Sequence, residues 1–322
     1  MKIRSLVKRK SVEIQSPAKL NLVLEVLFRR SDGYHQISSI MCPINLWDSL
    51  EVISQNDPGV RLELQIPEPS QSSQTAWQIP TDRTNLVVKA VEMVRQELGV
   101  NDGCLIRLRK KIPAAAGLGG GSGNAAAAVV ACLLLWSSWN RPLAQQLCQR
   151  LGSDTNLFLG SEQGFGMMLA EGRGEKISLL PESPSLSFWM TNPPQGCSTQ
   201  EVYKRLKVVG NCGKIEEFIR ACQNGQTSKI GAALFNALQL PASGVNPWID
   251  RQLTLLRQCG CSTALVTGSG SSCFGLAPDG GNFIRLQTEA LKVGVSRVYE
   301  VNAWYGESIE QQLDQPDESG SG

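Results

Sequence analysis

Residues 117–123, GLGGGSG, constrain this chain more than any other stretch, and the apolar run NAAAAVVACLLLW follows them to Trp136. Five of those seven residues are glycine. Glycine loses more conformational freedom on ordering than any other residue, so a loop this rich in it has to be compensated by contacts or a ligand. The run from Ala125 to Trp136 reads as a buried helix, which makes the glycines a loop leading into a helix N-terminus.

Three uses of such a loop can be weighed. A Walker phosphate loop needs a lysine after the glycines; Asn124 stands there, which excludes it. A dinucleotide fingerprint is satisfied by Gly121, Gly123 and Ala126 as letters. Its context fails, because the preceding CLIRLRKKIP alternates polar and apolar instead of being apolar on both faces. The ribose-binding acid is also missing, since no Asp or Glu occurs between Gly103 and Ser153. The third use is a cradle of backbone N–H groups whose helix dipole favours an anion. Ser122 adds a hydroxyl, and the acid-free flanks suit a phosphate. A plain turn packed against another backbone remains the alternative. A second loop, TGSGSSCFG at 267–275, is of the same kind and makes a polyphosphate ligand more credible.

Composition removes several classes. The formal net charge is +2 in 322 residues, too small a field for a nucleic-acid or anionic-membrane partner. No stretch approaches the length of a membrane helix, and the N-terminus lacks the apolar core of a signal peptide. The ten cysteines form no C-x-x-C pair and read as reduced packing thiols of a cytoplasmic protein. Cys259 and Cys261 suit opposite faces of a strand. A single histidine, His35, excludes the His-rich zinc patterns.

The order of patterns implies an α+β fold. SVEIQSPAKLNLVLEVLFRR reads as strand, proline break, strand; DSLEVIS and VRLELQI as further strands; 67–84 as a loop. TNLVVKAVEMVRQELGV is a helix with Leu86, Ala90, Met93 and Val94 on one face. A hairpin is expected around Glu171 and Gly172, and STALVTGSGSSCFGLAP reads as a strand. The expected division is a basic tail at 1–10, a first half at 11–175, a second at 176–305 and a disordered tail at 306–322.

PAKLNLVLEV at 17–26, RRSDGYHQISSIM at 29–41 and KKIPAAAGLGGGSGNAAAA at 110–128 resemble the GHMP small-molecule kinases. LGSDTNLFLG, CSTQEVY and TGSGSSCFG continue the resemblance in the same order, over most of residues 13–304. The resemblance implies two domains with ATP between them, an N-terminal ribosomal-protein-S5-like α/β domain and a C-terminal ferredoxin-like α+β domain. It implies a phosphotransferase using ATP and Mg2+. The DGYH segment points to phosphorylation of the 2-hydroxyl of a cytidine-diphosphate methylerythritol, in non-mevalonate isoprenoid synthesis. Another small alcohol, or a nucleotide-binding descendant without catalysis, stays open. A monomer or weak homodimer is expected.

By the same resemblance, Asp154 is the catalytic acid–base residue, with Lys19 beside it. Pro113, Ala116, Gly117, Leu118, Gly119, Gly120, Gly121, Ser122 and Gly123 cradle the ATP phosphates, while Asn85, Leu86 and Lys89 lie near the adenine. Asn21 and His35 contact the acceptor, Tyr34 stacks on its base and Tyr203 is placed on the opposite face. Thr199, Gly268, Ser269, Gly270 and Ser271 help position acceptor and phosphate. No dedicated metal carboxylate is placed; Ser122 and Asp154 are the nearest candidates. The chemistry of the residues agrees, since phosphoryl transfer needs alignment, charge neutralisation and a carboxylate for the proton. Read alone, Asp154 could equally be a helix cap and Lys19 a snorkelling surface lysine.

This chain departs from the family pattern where relatives place a serine at Gly123, which predicts one hydroxyl fewer near the phosphates. It also carries Thr155 and Asn156 after Asp154, where relatives have an apolar residue and then Pro or Ser.

Overall fold

A computed structural model describes residues 1–7, 10–66, 79–181, 183–295 and 297–314. Most of the expected loop at 67–84, and the last residues of the expected C-terminal tail, lie outside the described residues.

Two long antiparallel strands, β2 (Ser11–Arg29) and β3 (His35–Gln55), form the backbone of the larger sheet. Pro17 does not break β2 in two, as the sequence suggests. It has no N–H to give the ladder, and the register instead shifts between Pro17 and Ala18. The strand bends there and continues. The sheet is completed by β1 (Lys2–Val7), β4 (Val60–Gln65) and β5 (Gly103–Arg109) in the order β1-β2-β3-β5-β4. The β6–β7 hairpin (Met168–Gly172 and Lys176–Leu179) adds to β3. One sheet therefore runs across the division expected at residue 176.

Three helices cover this sheet: α1 (Leu86–Leu98), α2 (Gly120–Leu135) and α3 (Arg141–Leu151). α1 begins where the Asn85 side chain accepts from Val87 N–H at 2.9 Å and ends at Gly99 in the left-handed region. Its core face is Val87, Ala90, Val91 and Val94, with Val88 also buried. Leu86 and Met93, expected on that face, are only half-buried. α2 is apolar all round and lies in the middle of the core, as such a helix must.

The smaller sheet runs β10 (Ala264–Val266), β11 (Cys273–Leu276), β8 (Ser187–Asn192), β12 (Arg297–Asn302), all antiparallel. The stretch 262–278 is thus a hairpin around the second glycine loop, not one strand. Helices α4 (Thr199–Arg205), α5 (Lys214–Gln223), α6 (Thr227–Ala233), α7 (Gln239–Val245), α8 (Trp248–Gln258) and α9 (Phe283–Lys292) belong to this half. Cys259 is the residue at which α8 ends and Cys261 follows the turn, so neither is in a strand. A two-residue strand, β9 (Phe235–Asn236), leaves this half and pairs in parallel with β2.

Both ends of the described chain are structured. β1 pairs along β2, and Met1 is buried, which corrects the reading of 1–10 as a solvated tail. Ser308 and Gln311 form a reciprocal capping box that starts α10 (Ile309–Leu313), and Ile309 is buried. The Gln312 side chain bridges Ile3 N–H and the Met1 carbonyl. The reading of 306–322 as disordered therefore fails over its first part, where buried Ile309, the Ser308 cap, the Gln312 bridge and the Glu310–Arg141 ion pair at 2.7 Å hold a short helix.

Candidate active site

The first glycine loop is stitched to two different strands. Leu118 C=O accepts from Lys19 N–H in β2 at 3.0 Å, and Ala116 C=O accepts from Ser272 N–H beyond the second loop at 3.1 Å. Gly117 and Gly119 both have positive φ, 75° and 71°. A Cβ on Gly117 would lie 2.2 Å from the Thr267 carbonyl, and one on Gly119 would lie 3.0 Å from Lys19 Cγ. Glycine is required here because it lets one loop lie against the other and lets the N-terminus of α2 descend onto Lys19. Both uses weighed from the sequence are realised in part: the loop does pack against another backbone, and it also opens onto a cleft.

That cleft has a volume of about 1150 Å³ and is lined by both loops, β2, the start of β3, the residues after α3 and the first turns of α4. It is large enough for a nucleotide and a second ligand together.

Lys19 points into it from β2, 4% exposed, and its ammonium is 3.9 Å from Asp154 Oδ2, a side chain 34% exposed. The ammonium also donates to Asn21 Oδ1, while Asn21 Nδ2 donates to Ser39 Oγ at 2.9 Å and Asn21 N–H to Thr267 Oγ1 at 3.0 Å. Asn21 is thereby locked and aims Lys19. Burial lowers the Lys19 pKa below the ordinary lysine value; the Asp154 charge works against that shift. Asp154 follows the break after α3, at Gly152 and Ser153, and is separated by Thr155 from a 3-10 turn, Asn156–Leu159. Thr155 and Asn156, the two departures, are buried under Asp154, and Thr155 Oγ1 and Asn156 Oδ1 have no hydrogen-bond partner.

At the other end of the cleft the Tyr203 ring lies 5.0 Å from His35 at a 31° tilt. Burial first, and then the Asp154 charge, push the Tyr203 phenol up to about 12. Partial burial and then Arg29 hold His35 below the ordinary imidazole value. Tyr34 is 57% exposed and carries the Arg173 guanidinium 5.0 Å from its ring centroid. Thr199, at the start of α4, shares a 2.7 Å hydrogen bond with Ser269 of the second loop. Gly268 completes this wall, facing Lys19 and Asn21.

The remaining expected residues divide between the cleft and the core or surface. Leu86, Gly117, Gly119 and Ser122 line the cleft, whereas Ala116 and Leu118 are core residues that contribute backbone only. Gly121 is open to solvent on the first turn of α2, and Pro113 is buried. Asn85 spends its side chain on capping α1 and on the Pro80 carbonyl, and Lys89 is exposed and outside the cleft lining. Gly270 packs on Ile249 and Val266, and Ser271 is buried with its carbonyl on Gln252. Both face the core of the second half because the loop turns back into β11.

Gly123 has a different meaning from the one expected. A Cβ there would meet Ser16 Oγ at 2.4 Å and Phe158 at 3.1 Å. The position faces β2 and the core, so no phosphate hydroxyl is lost by having glycine there. Gly120 is close-packed too, with a Cβ position 3.1 Å from Lys110 Nζ.

Sequence reasoning missed Arg29, Arg173, Lys204 and Asp48. The first three line the cleft. Asp48 lies beneath it, accepting from Lys111 N–H at 2.7 Å, Ile112 N–H at 2.9 Å, Asn124 Nδ2 at 3.0 Å and the Lys110 ammonium. It pins the chain just before the glycine loop to the first turns of α2. The acid-free stretch borrows its one buried acid from β3, paired and out of the cleft.

No group of three or more His, Cys, Asp or Glu side chains comes together among the described residues. Ser122 and Asp154, both lining the cleft, are the groups that fit Mg2+, which usually keeps several waters and is held by one or two carboxylates plus phosphates. The open helix N-terminus at Gly121 and Ser122 fits the phosphates themselves.

Residues 85–166 match the GHMP kinases N terminal domain and residues 218–295 the GHMP kinases C terminal. The chain is 38% identical over 265 residues to the 4-diphosphocytidyl-2-C-methyl-D-erythritol kinase of Pelotomaculum thermopropionicum, covering 81% of this chain and 88% of that protein. It is 35% identical over 288 residues to the same-named kinase of Rhodopirellula baltica, covering 81% and 85%. A crystal structure of 4-(cytidine 5'-diphospho)-2C-methyl-D-erythritol kinase superposes with a TM-score of 0.67 at 29% identity, over 91% of this chain and 99% of that one. The L. major mevalonate kinase in complex with R-mevalonate shares the fold, with a TM-score of 0.69 at 14% identity, over 94% and 99%.

Proposed function

This chain belongs to the GHMP kinases, and from that premise we propose that it transfers the γ-phosphoryl group of ATP to the 2-hydroxyl of 4-diphosphocytidyl-2-C-methyl-D-erythritol. The observation that carries the reading is the buried Lys19 ammonium 3.9 Å from the partly exposed Asp154 carboxylate, at the foot of a glycine-lined helix N-terminus. Kinship with enzymes of that name supports the choice of acceptor.

The geometry supports the following roles. Asp154 takes the proton of the acceptor hydroxyl as its oxygen attacks the γ-phosphorus and the bond to ADP breaks. Lys19 offsets charge on the group in flight, and it acts strongly because it is out of water. Asn21 holds Lys19 in place. The backbone N–H groups at Gly119–Ser122 receive the phosphates. Ser122 and Asp154 would hold Mg2+, which would supply further charge neutralisation. Tyr34, His35 and Tyr203 hold the cytosine, and Thr199 with Ser269 closes the wall behind the acceptor. The same reading takes Asn85 and Lys89 as adenine neighbours, and the enzyme as cytoplasmic and a monomer or weak homodimer.

The deciding experiment is incubation with ATP, Mg2+ and the acceptor, followed by NMR of the product. A new phosphate on the 2-position supports the reading. Phosphorylation of another alcohol in preference, or ATP binding with no product from a panel of alcohols, overturns it.

A further inference from the structure

The charges that line the cleft are unbalanced: Lys19, Arg29, Arg173 and Lys204 face one carboxylate, Asp154. Lys19 is committed to Asp154 and Asn21, and Lys204 to Glu201 at 2.7 Å. Arg173 is placed differently. It sits in the tight turn between β6 and β7, half-buried, with its own N–H on Glu175 Oε2. Asp32, the acid its charge reaches, is already paired with Arg30 at 3.0 Å.

Two contacts fix where Arg173 stands. Its guanidinium lies 5.0 Å from the centroid of Tyr34. The next residue, Gly174, is so close to the reacting end that a Cβ on it would lie 3.2 Å from Asp154 Oδ1. The turn therefore spans the interval from Asp154, which Gly174 approaches, to Tyr34, over which the Arg173 guanidinium lies. An acceptor whose base and alcohol are joined by a diphosphate brings its negative charge to that interval. A planar guanidinium is suited to two phosphate oxygens at once.

We propose that Arg173 is a specificity-determining residue of the acceptor site, its guanidinium binding the diphosphate between base and alcohol. The proposal rests on the acceptor reading above. It separates this chain's preference for a nucleoside-diphosphate-linked alcohol from its affinity for the base alone.

The test compares CDP with cytidine as ligands, by calorimetry, for wild type, Arg173→Gln and Arg173→Lys. The unfolding midpoint of each variant reports that it is folded, and two substitutions of this half-buried turn residue keep the test informative if one of them fails to fold. The expected result is that wild type prefers CDP, that Arg173→Gln weakens CDP by about tenfold or more while leaving cytidine unchanged, and that Arg173→Lys recovers part of the loss. Equal weakening of both ligands means that Arg173 only supports the Tyr34 ring, and overturns the proposal; so does no change in either. Wild type that binds neither ligand overturns the acceptor reading itself, before any variant is made.

Discussion

The Lys19 ammonium and the Asp154 carboxylate lie 3.9 Å apart across the cleft, the lysine almost fully buried and the aspartate open to an incoming ligand. A pair this unequal is not a stabilising surface bridge. In the reaction proposed above, the buried partner would fix the field and the exposed partner would take the proton. Asp154→Asn keeps the shape and removes the base, so turnover should fall by about 10²–10⁴-fold. ATP affinity, read by fluorescence titration, should stay near the wild-type value. Turnover close to wild type would remove Asp154 from the mechanism.

Lys19 gives a prediction of opposite sign for stability. Burial holds its folded pKa below the unfolded value of 10.5. Below the folded pKa the buried ammonium carries its full desolvation penalty. Between the two values the unfolded chain binds a proton that the folded chain has shed, so stability rises with pH there. Lys19→Met should therefore abolish turnover while raising the thermal midpoint at neutral pH by about 2 °C. The difference from wild type should shrink as pH climbs toward 10.5. A lower midpoint for the variant at pH 7 would contradict this.

What the sequence could reveal followed the range of each interaction. The glycine loop, the helix behind it and the strand alternation of β5 are local patterns and were legible. Pro17 misled because a missing N–H looks like a strand end, whereas a register shift absorbs it within a sheet. The tail at 306–322 misled because one buried Ile309 does not stand out in a polar stretch. In the site, Lys19 and Asp154 were reached through a family likeness, since spacing alone cannot say that two distant segments meet. Arg173 had a visible signal, a lone base in the hairpin turn EGRGE, but only the fold brings it over Tyr34. Asp48 carried no signal beyond opening the strand DSLEVIS, because its partners at 110–112 and 124 are long-range.

Gly123 stands where the family resemblance leads one to expect a serine, and the structure turns that departure into a packing question. Its side-chain space is filled by Ser16 Oγ, a buried hydroxyl without a hydrogen-bond partner, and by Phe158. Restoring the family residue with Gly123→Ser should overpack this contact and destabilise the fold by about 1–3 kcal/mol. Ser16→Ala alone removes an unsatisfied hydroxyl and should be neutral or slightly stabilising. The double variant should be more stable than Gly123→Ser by urea denaturation. Equal destabilisation in the single and double variants would show that Phe158, not Ser16, sets the limit.

Asp48 and Lys110 form a buried pair under the phosphate loop, and the expected effects depend on which half is removed. Asp48 accepts four hydrogen bonds from residues on both sides of the loop. Asp48→Ala leaves the Lys110 ammonium buried without its counter-charge and frees the N–H groups of Lys111 and Ile112. The loss should be about 3–5 kcal/mol by denaturant unfolding. Lys110→Met alone should cost less, because the Asp48 carboxylate keeps its two backbone donors and Asn124. Since the pair anchors the residues entering the glycine loop, Asp48→Asn, which keeps an acceptor for one backbone donor, should fold and yet bind ATP more weakly. The informative ratio is ATP affinity against acceptor affinity. A loosened loop lowers the first and spares the second, whereas general destabilisation lowers both together. Equal loss of both in Asp48→Asn would reduce Asp48 to a core residue with no part in holding the phosphate cradle.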